Sequence, residues 1–309
     1  LYLNLNLYVI FIKIINCMNG INKNILGIIL MTLGMFCLSV NDVMVKGLNL
    51  HFPVWEVVFF RALSGVIISI GLVIIFGVKS LKTEKPIRHF IRAFSAVGCV
   101  VFYFFGLKYL PLTENIAIVH SAPILAALLA VPILKEKLGM HRISAIIIGF
   151  IGVIIIVRPG SNVFQFASIL PLVSALFMAS VYLSTRSLMV TDTSIGIIFY
   201  YSFALLITSL IFFPKDFVIP NLSQLIPLMS LGFMGSLGHY FMSQAAKNAE
   251  VVVISPFEYT SFIFVGVMGY FFYNEIPNSS VIIGGLLIVI GGIYIAYREN
   301  KFEIDYKIR

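Results

Sequence analysis

Charge is what this 309-residue chain has least of: Asp, Glu, Lys and Arg make up 11% of it and hydrophobic residues 60%, against about 25% charged in a soluble domain. A water-soluble single domain is excluded. Long polar connections are missing too, since stretches such as Arg158–Val163 and Asn274–Asn278 are too short to hold an extramembrane domain, so any chemistry must lie among the apolar segments. No Walker A motif, HExxH or GxSxG is present, which leaves ATP-driven pumping and the common intramembrane hydrolase constellations without a sequence basis. The three cysteines, Cys17, Cys37 and Cys99, have neither CxxC spacing nor a His cluster beside them, so no metal, cofactor or disulfide framework is expected and they read as packing residues.

What is present is a series of long, unbroken apolar runs. An outer-membrane barrel would instead alternate apolar and polar residues in short strands. A helix needs about 20 apolar residues to cross about 30 Å of hydrocarbon, and the runs predict ten spans of an all-α polytopic membrane protein. The first five are Ile25–Lys46, Val54–Gly77, His89–Lys108, Leu112–Leu134 and Ile143–Val157; the second five are Phe164–Leu188, Ser194–Phe213, Leu222–Ala246, Val251–Tyr273 and Ser279–Tyr297.

The net charge of +8 would mark a nucleic-acid surface on a soluble protein, but in a membrane chain it records orientation. With both termini placed in the cytoplasm, all of the 21 basic residues fall on cytoplasmic segments except Lys46, Lys108, Arg158 and Lys215 outside and Arg61 within a span. No nucleic-acid partner is expected; the bilayer is. The segment before Met18 is too short to span, and its apolar run Leu7–Ile15 has no preceding basic region and no small-residue cleavage site. Met18 is therefore predicted to be the initiator, with 1–17 outside the native protein, 1–24 an N-terminal segment and 298–309 a cytoplasmic tail.

A shift of 139 positions lays the chain on itself without gaps, pairing Phe60 with Phe199, Phe102 with Phe241, Lys108 with Lys247, Glu136 with Glu275 and Gly152 with Gly291. The chain thus reads as two repeats, 25–157 and 164–297. Five spans is an odd number, so the second copy enters the membrane inverted. Inverted repeats serve secondary transporters, whose two halves form a midplane site open alternately to each side.

Ten spans in two repeats, the acidic residues at the ends of the fourth and ninth spans (Lys135-Glu136-Lys137 and Asn274-Glu275-Ile276-Pro277) and the glycine-rich helices that follow resemble the EamA family of the drug/metabolite transporter superfamily. The resemblance covers about Asn24 to Tyr297. It implies a carrier for small polar metabolites such as amino acids, nucleotide-sugar relatives or drugs. Ser39-Val40-Asn41-Asp42-Val43-Met44-Val45-Lys46, Glu56-Val57-Val58-Phe59-Phe60-Arg61 and Pro256-Phe257-Glu258-Tyr259 are more narrowly similar to S-adenosylmethionine uptake transporters of obligate intracellular bacteria. There the last segment resembles Pro-Tyr-Arg-Tyr, so Glu258 reverses a charge near the implied site.

Ionisable groups within spans are costly and are candidates for function. Glu258 lies eight residues into the ninth span, about 12 Å deep, beside Pro256, which removes a helical hydrogen bond and favours a break. A carboxylate there suits a cationic substrate or a coupling proton; a structural carboxylate capped by hydroxyls is the competing reading. His120, near Pro123 at similar depth in the fourth span, pairs with Tyr259 under the 139-residue shift and is either a proton relay or a buried neutral histidine; His239 is a weaker candidate of the same kind. Asp42 and Lys46 are spaced for a helical ion pair. Arg61 either faces a wet cavity, where it suits a substrate carboxylate, or pairs with Asp42 or Glu56 in a gate. Tyr103, Tyr182, Tyr200, Tyr201 and Tyr240 fall within spans, where a ring face can hold a sulfonium or ammonium group; Tyr103 and Tyr200 are placed in the site. Trp55, Tyr109 and Tyr273 read as interfacial anchors.

The leading expectation is a secondary transporter in the cytoplasmic membrane of a bacterium that takes up S-adenosylmethionine, alone or in exchange for a metabolite. An exporter of amino acids or other metabolites, and an intramembrane enzyme, are the alternatives. The uncharged fifth and tenth spans are expected at the periphery or in homodimer contacts.

Overall fold

The computed structural model describes residues 23–134, 140–158, 166–188, 192–249 and 251–308. Met18, residues 1–17 and Glu136 lie outside them. Twelve α-helices are formed among the described residues, in chain order α1 Lys23–Leu48, α2 Val54–Phe76, α3 Pro86–Tyr109, α4 Leu112–Val119, α5 Ala122–Leu134, α6 Met140–Val157, α7 Ile169–Leu188, α8 Ser194–Ile211, α9 Leu222–Asn248, α10 Val251–Glu258, α11 Thr260–Tyr273 and α12 Ser279–Ile308. They make ten spans because α4 with α5, and α10 with α11, are the halves of a fourth and a ninth span. Segments Lys23–Leu48, Val54–Phe76, Pro86–Tyr109, Leu112–Leu129, Phe166–Thr185 and Leu222–Asn248 are long and apolar enough to cross a bilayer individually, and Ile143–Val157, Ile195–Ile211 and Ser279–Tyr294 are shorter apolar helices.

Polarity runs inside out. Ile67, Ile70 and Ile74 on α2, Phe90 and Phe94 on α3, Ile207 on α8 and Phe233 on α9 are exposed, whereas Asn41, Asp42, Glu56, Arg61, His89 and Asn115 are buried. Water would punish that arrangement, while hydrocarbon outside and polar partners inside favour it.

The packing carries the internal symmetry that the 139-residue shift requires. Helix α1 lies along α9, and its repeat mate α7 lies along α3; α2 packs on its own mate α8, and α6 on its own mate α12. The α6–α12 crossing shows the pseudo-twofold at atomic scale. A Cβ on Gly152 would lie 2.6 Å from the Gly284 carbonyl oxygen, and the repeat mates of that pair, Gly291 and Ala145, meet with 3.0 Å to the Ala145 carbonyl. Small residues thus let the fifth and tenth spans approach backbone to backbone, the usual basis of helix association in lipid. Ile147, Ile151, Ile154, Ile283, Leu286 and Ile290 on the far side of this pair are exposed, in keeping with a peripheral position. Gly284→Ala places a methyl 2.5 Å from the Gly152 carbonyl and must spread the helices. Overpacking of this kind costs about 1–3 kcal/mol, so the purified variant is expected to unfold at a clearly lower temperature in a detergent thermal-shift measurement.

Three boundaries depart from expectation. The third span begins at Pro86, where proline without an N–H suits the first helical position, so Arg92 lies within the helix and Arg61 is not the single basic residue in a span. Helix α12 continues to Ile308 instead of ending at Tyr297. The fourth and ninth spans are broken, at His120–Ser121 and at Tyr259. Pro123 and Pro256 each withhold an N–H from the preceding turn, and nearby hydroxyls take up freed carbonyls: Ser121 donates to Ile118 at 2.7 Å, Thr260 to Phe257 at 2.6 Å and Ser261 to Glu258 at 2.9 Å. The breaks fall at equivalent positions of the repeats, although the two prolines do not.

Candidate functional site

One end of the bundle, marked by Lys46, is tied shut. Lys46 Nζ donates to the Leu110 carbonyl at 2.9 Å and to the Glu275 carboxylate, and the other oxygen of Glu275 accepts the Leu112 N–H at 2.7 Å. Glu275 thereby joins the first span to the start of the fourth and the end of the ninth. Tyr273 donates to the Val43 carbonyl at 2.5 Å, with Gly47 leaving room for its hydroxyl. Lys46 therefore pairs with Glu275 and not with Asp42, and Tyr273 turns inward and is not an interfacial anchor. Asp42 is four residues from Lys46 along α1, but the carboxylate that completes the helix ends is 229 positions away. Glu56 forms no ion pair among the described residues; fully buried, it accepts the Val218 N–H at 3.1 Å and holds the connection between α8 and α9.

The opposite end, marked by His89, is held by polar contacts centred on Asp192. His89 Nε2 lies 2.5 Å from Asp192 Oδ2, Thr83 donates to the same oxygen at 2.6 Å, and Thr193 donates to the Ser80 carbonyl at 2.6 Å. Tyr200 belongs here: its hydroxyl donates to the Leu81 carbonyl at 2.8 Å and its ring meets His89. This places Tyr200 in a loop anchor and not in the central site. Arg92 donates to Thr185 at 2.9 Å. Thr185 is the repeat mate of Lys46, so the lysine of the Lys46-end lock has no lysine counterpart at this end.

Between the two ends lies a continuous polar lining. Arg61 Nη1 donates to Asn41 Oδ1 at 2.7 Å, Asn41 Nδ2 is fixed by the Leu231 carbonyl at 2.8 Å, and the guanidinium carbon stands 5.3 Å from the centre of the Phe104 ring. Gly235 makes the room: a Cβ there would lie 3.1 Å from the guanidinium. Asp42 is within electrostatic range of Tyr103 and Arg61. Cys99 is in range of Tyr103, Arg61 and Tyr182, and Tyr182 in turn of Glu258 and Tyr259. His239 shares a helical face with Gly232 and Gly235, which abut α2.

The lining thus brings together Asp42, Arg61, Tyr103, Glu258 and Tyr259, and His120 adjoins it through Tyr259, whose ring centre is 5.6 Å away. It also recruits Asn41, Cys99, which reads as a packing residue in the sequence, and Tyr182, one of the in-span tyrosines that the sequence reading does not place in the site. Chemically it offers one guanidinium with donors to spare, two carboxylates and several ring faces. Glu258 makes no side-chain hydrogen bond among the described residues, and Arg61 makes one of the five that its fork allows.

A helical bundle with its polar groups gathered inside and two inverted halves tied together at both ends is a polytopic membrane transporter for a small solute. The model of the EamA-like transporter family matches residues 25–158 and 165–297, and the chain belongs to that family. It is similar to the S-adenosylmethionine uptake transporter of Rickettsia prowazekii, at 27% identity over 89% of this chain and 94% of the relative. Similarity extends to a pseudopaline exporter of Pseudomonas aeruginosa, 26% identical over 86% and 94% of the two chains. A riboflavin transporter of Vibrio cholerae is 28% identical over 72% and 76%. A solved crystal structure superposes with a TM-score of 0.60 at 18% identity, covering 91% of this chain and 98% of its own, a likeness of fold.

Proposed function

We propose that the protein is a secondary carrier that imports S-adenosylmethionine across the bacterial cytoplasmic membrane by alternating access. The observation that carries this reading is the pairing of opposite charges along one interior lining. S-adenosylmethionine presents a carboxylate, an ammonium, a permanently charged sulfonium and an adenine. Arg61, held by Asn41 and backed by Phe104, suits the carboxylate bidentately. Asp42 and Glu258 suit the two cationic centres, and Tyr103, Tyr182 and Tyr259 offer faces for the sulfonium and the adenine. Glu258 presents a carboxylate to the lining, a group that suits a cationic solute. The relatives named for S-adenosylmethionine uptake support the same assignment.

The positive-inside rule places the His89 end, with Lys79, Lys82, Lys85 and Arg88 beside it, in the cytoplasm, and the Lys46 end outside. On this orientation the Lys46–Glu275 contact closes the exterior side. The similarity to a pseudopaline exporter favours a second reading, export of an amino-acid-derived metabolite. Counterflow in ATP-free proteoliposomes separates them. Vesicles preloaded with unlabelled S-adenosylmethionine are expected to accumulate the labelled compound transiently and saturably, with neither riboflavin nor amino acids competing. Counterflow of another member of the panel, with none for S-adenosylmethionine, contradicts the proposal.

A further inference from the structure

The two broken spans direct two helix ends at one side chain. Half-helices α4 and α10 finish at Val119 and Glu258, and a helix C-terminus carries unpaired carbonyls and about half a negative charge. His120 sits where they meet. Its Nδ1 is 2.8 Å from the Ile116 carbonyl in the last turn of α4. On the other side its Nε2 is 3.0 Å from Ser261 Oγ. Ser261 Oγ is itself 2.9 Å from the Glu258 carbonyl, the last of α10.

Proton counting distinguishes the two states of the ring. A neutral imidazole has one donor and one acceptor. If Nδ1–H serves Ile116, Nε2 turns a lone pair towards the end of α10, and the single Ser261 proton is claimed by both Nε2 and the Glu258 carbonyl. One bond is always lost. An imidazolium donates from both nitrogens, to Ile116 and to the Ser261–Glu258 pair, which frees the Ser261 proton for the carbonyl. Every partner is then satisfied, at a junction where α4 and α10 end and α5 and α11 begin.

We propose that His120 is the proton-binding site that couples a proton gradient to this carrier, and that in the conformation described it is protonated and cross-links the two repeats. Loss of the proton removes one bond from the junction of the fourth and ninth spans, so proton occupancy and the relative position of the halves are linked. The repeat mate of His120 is Tyr259, whose hydroxyl rests on Gly292, so the symmetry brings no second imidazole to this junction. The other titratable groups facing the junction are Glu258 and Tyr259 on the ninth span, Tyr182 on α7, Tyr294 on α12, and Glu114 on α4, the last accepting from Ser168 and in range of Arg158. Phe262 covers the ring at 4.9 Å.

This inference rests on the carrier reading, but its test does not require the substrate to be right. In 15N-histidine-labelled protein in nanodiscs, with the signal assigned by its loss in His120→Gln, the ring is expected to carry protons on both nitrogens at about pH 6, below the ordinary histidine value. Ser261→Ala, which removes an acceptor of Nε2, is expected to move the pH at which that signature appears. In proteoliposomes an inward proton gradient is expected to drive accumulation by the wild type at least tenfold above equilibrium, while His120→Gln retains counterflow and loses accumulation. A neutral ring at about pH 6, an unmoved titration in Ser261→Ala, or gradient-driven accumulation by His120→Gln overturns the proposal. Absence of S-adenosylmethionine counterflow in the wild type counts against the substrate alone, because the imidazole spectrum still decides the proton site.

Discussion

Arg61→Ala is expected to abolish saturable uptake, raising the substrate concentration needed for half-maximal flux by about 30-fold to beyond the measurable range. The magnitude follows from the position of the guanidinium. It is buried, its one protein hydrogen bond goes to Asn41, and Phe104 and Gly235 shape the space around it. Truncating one partner of a buried, hydrogen-bonded charge pair costs about 2–5 kcal/mol. Asp42, left without the cation in its range, compounds the loss. Arg61→Lys is expected to rescue little, because a single ammonium cannot keep Asn41 and grip a carboxylate through two parallel bonds. Flux measurements on both variants, with helicity and monodispersity as folding controls, check this. An Arg61→Ala protein with wild-type apparent affinity would remove Arg61 from the site.

Glu275→Gln is expected to open the Lys46 end. The carboxylate holds Lys46 with one oxygen and the Leu112 N–H with the other, and bonds to charged groups contribute about 1.5–3 kcal/mol each. Losing the charge from both shifts the equilibrium towards the state open at that end by about tenfold or more. Cys99, partly exposed in the lining, reports it. In a chain whose Cys17 and Cys37 are serine, a membrane-impermeant maleimide applied from the Lys46 side is expected to label Cys99 slowly in the parent and at least tenfold faster in Glu275→Gln. Equal rates would show that the Lys46–Glu275 contact does not close the pathway.

The spans were legible because hydrocarbon imposes one requirement on all of them, an unbroken apolar length, and that requirement is written locally. The repeat was legible for a related reason: rare residues such as Lys108 and Lys247 stand out against an apolar background. Contacts that close over long sequence distances were not legible. Lys46 has a plausible partner four residues away in Asp42, and only the fold shows that Glu275 completes two helix ends at once. Tyr200 looked like a cavity residue because it is a tyrosine in a span, yet the connection at Leu81 offers its hydroxyl a carbonyl. Prolines at 123 and 256 signalled weak points in the fourth and ninth spans, but the break positions depend on Ser121, Thr260 and Ser261 hydroxyls reaching back to carbonyls. The interior lining needed the third, sixth and ninth spans side by side before Cys99 and Tyr182 could join Tyr103 and Glu258.

The central claim is that two inverted halves move against each other around this lining. It is tested most directly by pulsed electron-spin distances in nanodiscs, with one label pair at the Lys46 end on the exposed residues Leu50 and Ile276 and another at the His89 end on the exposed residues Lys79 and Lys247. The account predicts reciprocal behaviour: S-adenosylmethionine, or the Glu275→Gln substitution, lengthens the first distance while shortening the second. Distances that stay fixed at both ends under both conditions, or that lengthen together, would contradict it.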